Sequence, residues 1–292
     1  MSERWISDSY AKINLGLNVL ERLPNGYHTI ETGFVFIEWK DRFEVQPAAR
    51  LELDMGDSAI PVDDSNLIVK AIKLLQQQAG LRDEYKITVE KNIPAGAGLG
   101  GGSSNAATIL RMINKISNLG LSADDLALLG KQLGADVPFF IHGKTGIGTG
   151  FGEVIEPADI QPDAYIVTVF PNVMSSTPEA YQHCVPNAEP EFSLKNLLLE
   201  GEIEEWNYLL QNELEPAVFP RHELVGNLKD QFYDFGACYA SMSGSGSSVF
   251  GLFLQDFVAI DAYESFHSLD FPANITRPGF TPDLGVYKKE IY

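Results

Sequence analysis

From Ala11 to Val19 the chain alternates strictly, with Ala11, Ile13, Leu15, Leu17 and Val19 on one side and Tyr10, Lys12, Asn14, Gly16 and Asn18 on the other. A period of two is that of a β-strand, here one with a polar face. Pro24-Asn25-Gly26 is a turn signal, and Tyr27 to Trp39 resumes as extended chain, so the protein opens on an antiparallel pair. The pattern then predicts a helix over 66–78 after Asp63-Asp64-Ser65, a strand over 85–90, a helix from Ser103 onward with Ser103 or Ser104 as its cap, and a helix over 123–133 behind Ser122. Gly143 to Gly152 and Pro157 to Pro162 are small and flexible in composition and read as a seam, which predicts two domains, 1–158 and 159–292. Beyond it, 164–170 reads as a buried strand, 194–214 carries helical periodicity, and Met242 to Phe250 is a serine-glycine loop running into an apolar strand.

The composition narrows the function classes. With 45% hydrophobic residues the 292-residue chain can bury sizeable cores, and a net charge of −19 speaks against nucleic acid, whose phosphates call for a basic face. An anionic substrate would therefore need a local cationic or N–H-rich site. Cys184 and Cys238 form no Cys-x-x-Cys pattern, and Arg4-Trp5 leads straight into a strand, which predicts a reduced, cytoplasmic protein without a signal peptide or membrane span. The five histidines lie at no metal-ligand spacing, so no metal site is expected.

Candidate chemistry concentrates in Pro94-Ala95-Gly96-Ala97-Gly98-Leu99-Gly100-Gly101-Gly102-Ser103-Ser104, which runs directly into an amphipathic helix. Glycines let the backbone approach a ligand closely, and a helix N-terminus adds unpaired N–H groups and the positive end of the dipole, so the expected guest is a phosphate chain. Gly96-x-Gly98-x-x-Gly101 also satisfies the dinucleotide fingerprint, but such a match alone is weak, and Lys91 to Pro94 separate the preceding strand from the glycines. A Walker loop fails because no lysine follows until Lys115.

Three motifs, Ala11 to Leu15, Pro94 to Ala107 and Met242 to Phe250, stand in the order and spacing of the small-molecule kinase superfamily of galactokinase, homoserine kinase, mevalonate kinase and phosphomevalonate kinase. The chain resembles this superfamily over nearly its whole length. Asn25-Gly-Tyr-His28, Asp64 to Ile68 and Leu133 to Pro138 are similar to the branch that acts on a cytidylylated methylerythritol. The resemblance implies a two-domain α+β fold, a ribosomal-protein-S5-like half and a ferredoxin-like half with the site between them. It implies ATP-dependent phosphorylation of that substrate's 2-hydroxyl in the non-mevalonate route to isoprenoid precursors, with Mg2+ riding on the nucleotide, no prosthetic group, and a monomer or weak homodimer. Asp136 would be the catalytic base, with Lys12 beside it. The loop from Pro94 to Ser104 would wrap the ATP phosphates, with Asn66 and Lys91 near the adenine. Asn14, Tyr27, His28 and Tyr181 would hold the cytidylyl substrate, the tyrosines stacking on the base, and Ser243, Gly244, Ser245 and Gly246 would cover its diphosphate. The chain departs from the family at Tyr10, commonly proline, at Ala95, commonly methionine, and in Asn212 to Glu215. Another kinase of the superfamily would have no reason to keep Gly26-Tyr27-His28. A non-catalytic binding module with the same first-domain fold stays open on fold analogy alone, although Lys12 with Asp136 would be unneeded in one.

Overall fold

A computed structural model describes residues 3–289. Its elements are β1 (Trp5–Arg22), β2 (His28–Ala48), β3 (Glu52–Asp54), α1 (Leu67–Gln78), β4 (Glu84–Glu90), α2 (Gly101–Ile116), α3 (Ala123–Gly130), α4 (Val137–His142), β5 (Gly146–Thr149), β6 (Val154–Pro157) and β7 (Tyr165–Val169). There follow α5 (Thr177–His183), α6 (Leu194–Glu200), a 3-10 turn (Ile203–Glu205), α7 (Trp206–Leu209), α8 (Glu215–Val218), α9 (Glu223–Asp234), β8 (Tyr239–Met242), β9 (Val249–Phe253), α10 (Asp256–Ser268), β10 (Ala273–Thr276) and β11 (Tyr287–Lys288).

The long β1–β2 hairpin organises two sheets. The first runs β11-β1-β2-β4-β3, with the β5–β6 hairpin also attached to β2, and the second runs β10-β7-β9-β8. The β1–β2 register slips between Tyr10 and Ala11, between Leu15 and Leu17 and between Val19 and Glu21, irregularities that bend the strand and re-aim its side chains. One face of the first sheet packs Tyr10, Phe36, Phe43 and Ile87 under α1 to α4. The other packs Ala11, Ile13, Leu15, Val35 and Ile37 against Ile166, Phe250 and Leu252 of the second sheet. Val167, Val169, Ala240 and Phe253 on the far side of that sheet are covered by α9 and α10, giving helix, sheet, sheet, helix layers.

The polar side of β1 is buried: Lys12 and Asn14 are 4% and 3% exposed, because the glycine loop and α4 close over them. Three local expectations need correction. Helix α2 begins at Gly101, with Gly100 as a left-handed N-cap and no side-chain cap, while the Ser104 hydroxyl donates to the Tyr10 carbonyl at 2.6 Å. Helix α3 ends at Gly130, although Ser122 caps it in a reciprocal box with Asp125 as its spacing implies. The 194–214 periodicity breaks into α6, the 3-10 turn and α7, with Gly201 ending the first piece; Leu194, Leu198, Trp206 and Leu210 still bury one side in the core between the sheets. No helix among the described residues is long and apolar enough to cross a membrane.

Candidate active site

The glycine loop is built from its backbone outward. Gly96, Gly98 and Gly100 all have positive φ, between 65° and 77°, a conformation that L side chains rarely adopt. Ala97 and Leu99 alternate with them and point inward, anchoring the loop in the inter-sheet core. Lys12 N donates to Leu99 O at 3.0 Å and Ser248 N to Ala97 O at 3.0 Å, so β1 and the 243–248 loop grip the loop from two sides. Because α2 starts at Gly101, the N–H groups of its first turn belong to glycines and Ser103, residues with little or no side chain. Backbone of this kind is suited to receiving an anion.

The closest approach of backbone to backbone is at Gly98. A Cβ there would stand 2.3 Å from Ser243 O and 2.9 Å from Gly246 O, both backbone. A Gly98→Ala substitution is expected to lower the melting temperature and raise KM for the phosphate-bearing co-substrate by at least about tenfold, since strain and overpacking add at one position. Thermal melts and steady-state kinetics check it, and an unchanged KM would refute the close contact.

Asp136 is the N-cap position of α4 but makes no side-chain cap bond. Its carboxylate instead lies 3.6 Å from Lys12 Nζ. The helix behind it is fixed by Phe139, stacked on Phe36 with centroids 4.3 Å apart, and by the Arg111 guanidinium, which donates to Phe140 O. Lys12 Nζ also donates to Asn14 Oδ1 at 2.6 Å and to Gly98 O at 3.1 Å. Asn14 in turn donates to Thr32 Oγ1 at 3.0 Å, which orients its amide. Burial pushes the Lys12 ammonium below its ordinary value, and Asp136 pulls it part of the way back.

These groups share a cleft of about 640 Å³ with Gly98, Gly100, Tyr27, His28, Tyr181, Gly244 and Ser245. At its far end His28 stacks on Tyr181 at 5.3 Å, and Tyr27 meets Phe151 at 5.4 Å. Burial, with Arg22 nearby, lowers the His28 imidazole below its usual value, so it is neutral at pH 7 and offers one donor and one acceptor. Burial holds the Tyr181 phenol far above its usual value, with Asp136 adding to the effect. One cleft thus joins an anion cradle, a carboxylate–ammonium pair and an aromatic end.

The remaining sequence-marked residues divide. Ser243 and Gly246 are buried beneath the cleft, the Ser243 hydroxyl donating to Gly98 O at 3.0 Å. Ala95, Gly96 and Gly102 are exposed; Pro94, Gly101 and Ser103 are half-buried beside them. Asn66 uses its side chain to cap α1, accepting from Ile68 N at 2.9 Å and donating to Pro61 O at 2.7 Å. Lys91 pairs with the fully buried Asp41 at 2.8 Å. That carboxylate also accepts from Asn92 N, Ile93 N and Asn105 Nδ2, all at 2.8 Å, which ties the start of the glycine loop to α2.

Sequence reasoning passed over Asp41, Thr32, Phe151 and the role of Asn212. The buried Asn212 amide donates to Met242 O and Gly244 O, both at 2.8 Å, and Glu215 accepts from Met242 N at 2.9 Å. Their only signal was the segment's departure from the family pattern. No cluster of three or more His, Cys, Asp or Glu among the described residues could hold a metal ion.

Fold and cleft together define a small-molecule kinase of the GHMP class: residues 66–144 match the GHMP kinases N terminal domain and residues 193–269 the GHMP kinases C terminal domain. The 4-diphosphocytidyl-2-C-methyl-D-erythritol kinase of Chlorobium limicola is 43% identical over 279 residues, 94% of this chain and 96% of that protein. That of Parabacteroides distasonis is 44% identical over 83% of this chain and 89% of its own. A crystal structure of 4-(cytidine 5'-diphospho)-2C-methyl-D-erythritol kinase superposes with a TM-score of 0.81 at 32% identity, covering 93% of this chain and 98% of that one. A mevalonate kinase structure shares the fold at 16% identity, with a TM-score of 0.68 over 94% of this chain and 98% of its own. The chain belongs to the 4-diphosphocytidyl-2-C-methyl-D-erythritol kinase family.

Proposed function

We propose that the chain phosphorylates the 2-hydroxyl of 4-diphosphocytidyl-2-C-methyl-D-erythritol at the expense of ATP, in the non-mevalonate route to isoprenoid precursors. The observation that carries this reading is the position of the Lys12–Asp136 pair, in one cleft between the glycine loop and the aromatic end bearing His28 and Tyr181. Asp136 accepts the proton of the 2-hydroxyl as its oxygen attacks the γ-phosphorus; the bond from that phosphorus to the β,γ-bridging oxygen breaks and ADP leaves. Phosphoryl transfer asks the protein for position and for cancelled charge. The first-turn N–H groups of α2 and the loop backbone meet the phosphates, and Lys12 holds the reacting oxygens in line. Magnesium belongs to the nucleotide in this reading and would neutralise its phosphate oxygens. His28 hydrogen-bonds the cytosine, while Tyr27 and Tyr181 flank it. With a net charge of −19 and both thiols free, the chain reads as a cytoplasmic enzyme whose partner is a small molecule.

The test is phosphoryl transfer from ATP with Mg2+ to the cytidylylated methylerythritol, homoserine and mevalonate in parallel. Turnover of the first alone is expected. Phosphorylation of either other alcohol without it would reassign the substrate.

A further inference from the structure

Two hairpin tips meet at the aromatic end of the cleft. The first is the turn between β1 and β2, where Leu23 N donates to Tyr27 O at 2.8 Å and Tyr27 N to Asn25 Oδ1 at 3.0 Å. Its backbone is therefore set, yet the Tyr27 side chain stands out from the protein, 64% exposed. An aromatic ring so placed has no core to define its rotamer. The second tip is the β5–β6 turn, whose Phe151 is 40% exposed and touches Tyr27 in a tilted arrangement, with 59° between the rings.

The Phe151 turn is the better anchored of the two. Gly150 and Gly152 flank it at φ of 70° and 102°, Gly152 N closes it onto Thr149 O at 3.0 Å, and Phe151 N donates to Glu153 Oε2 at 2.7 Å. Ile30 N donates to Gly150 O at 2.8 Å, fastening the turn to β2 two residues beyond His28. The phenylalanine thus sits on a tied backbone while also lining the substrate cleft.

We propose that Phe151 is a positioning residue for the nucleobase end of the substrate: its ring holds Tyr27 over the cleft and thereby sets affinity for the pyrimidine nucleotide, without part in the chemistry. This rests on the functional reading above. Holding one aromatic in place removes rotamer freedom before binding instead of during it, so the benefit falls on substrate affinity.

Steady-state kinetics with each substrate varied at saturating levels of the other provide the test. Phe151→Ala is expected to raise KM for the cytidylylated substrate about 2- to 10-fold, the size of one aromatic pair, with kcat and KM for ATP within about twofold. Phe151→Tyr restores the low KM. Phe151→Leu, which keeps bulk without the ring, gives an intermediate value and serves if the alanine variant is unstable. In a Tyr27→Ala background, Phe151→Ala adds no further loss. An unchanged KM in both the alanine and leucine variants, or an equal loss with and without Tyr27, overturns the inference while leaving the kinase reading intact. A wild-type chain inactive on this substrate overturns that reading, and this inference with it.

Discussion

Replacing Asp136 with asparagine lowers kcat by at least about 100-fold, the lower end of what a general base contributes, while KM for each substrate changes little. The substitution is nearly isosteric. Because Asp136 makes no cap bond to α4, the amide takes nothing from the helix, which remains held by Phe139 on Phe36 and by Arg111 on Phe140 O. The carboxylate is 28% exposed and lines the cleft, and Lys12 keeps Asn14 Oδ1 and Gly98 O as acceptors, so the expected loss falls on the chemistry more than on the fold. Single-turnover measurement of phosphoryl transfer, beside a thermal melt matching the wild type, checks the result. Turnover within a few-fold of wild type would remove Asp136 from the base role.

Lys12→Met is expected to cost about 100- to 1000-fold in kcat, the scale for removing one preorganised electrostatic group, and to lower stability as well. The methionine fills similar space but leaves Asn14 Oδ1 and Gly98 O without their donor, and a buried acceptor left unmade costs about 1–3 kcal/mol. The two variants therefore separate: Asp136→Asn is inactive and stable, Lys12→Met inactive and weakened.

The ammonium also predicts a pH response. Its folded-state pKa lies below the ordinary 10.5 because burial outweighs Asp136. The alkaline limb of kcat should accordingly begin below pH 10.5, as the site loses its cation early. Stability moves the other way. Between the folded-state pKa and 10.5 the unfolded chain binds more protons, so this residue's contribution rises with pH and is lost as pH falls through the folded-state pKa. Comparing wild-type melts with those of Lys12→Met across this range isolates the effect, and a kcat profile flat past pH 10.5 would contradict it.

The glycine loop and the helix after it were legible because residues without side chains stand in one contiguous run directly before a helical periodicity. The lysine of β1, the asparagine two positions on and the tyrosine–histidine pair behind the turn were legible through family motifs, which bind short runs of neighbours. Asp136 was marked by the same means, though by itself it reads as a helix cap. Asp41, Asn212 and Phe151 carried no such mark. Each works through contacts with distant segments, as when Asp41 receives Asn92 and Asn105, Asn212 reaches Met242 and Gly244, or Tyr27 meets Phe151.

Alternation and turn chemistry along the chain alone determined that β1 and β2 pair and where the glycine loop lies, since these depend on backbone preferences acting over a few residues. Only tertiary structure decided that the polar face of β1 is buried, that α2 starts at Gly101, and that Lys12 meets Asp136. Those outcomes rest on loops and strands far apart in sequence competing for the same few ångströms, as Gly98 and Ser243 do, and close packing between distant segments leaves no periodic trace in either.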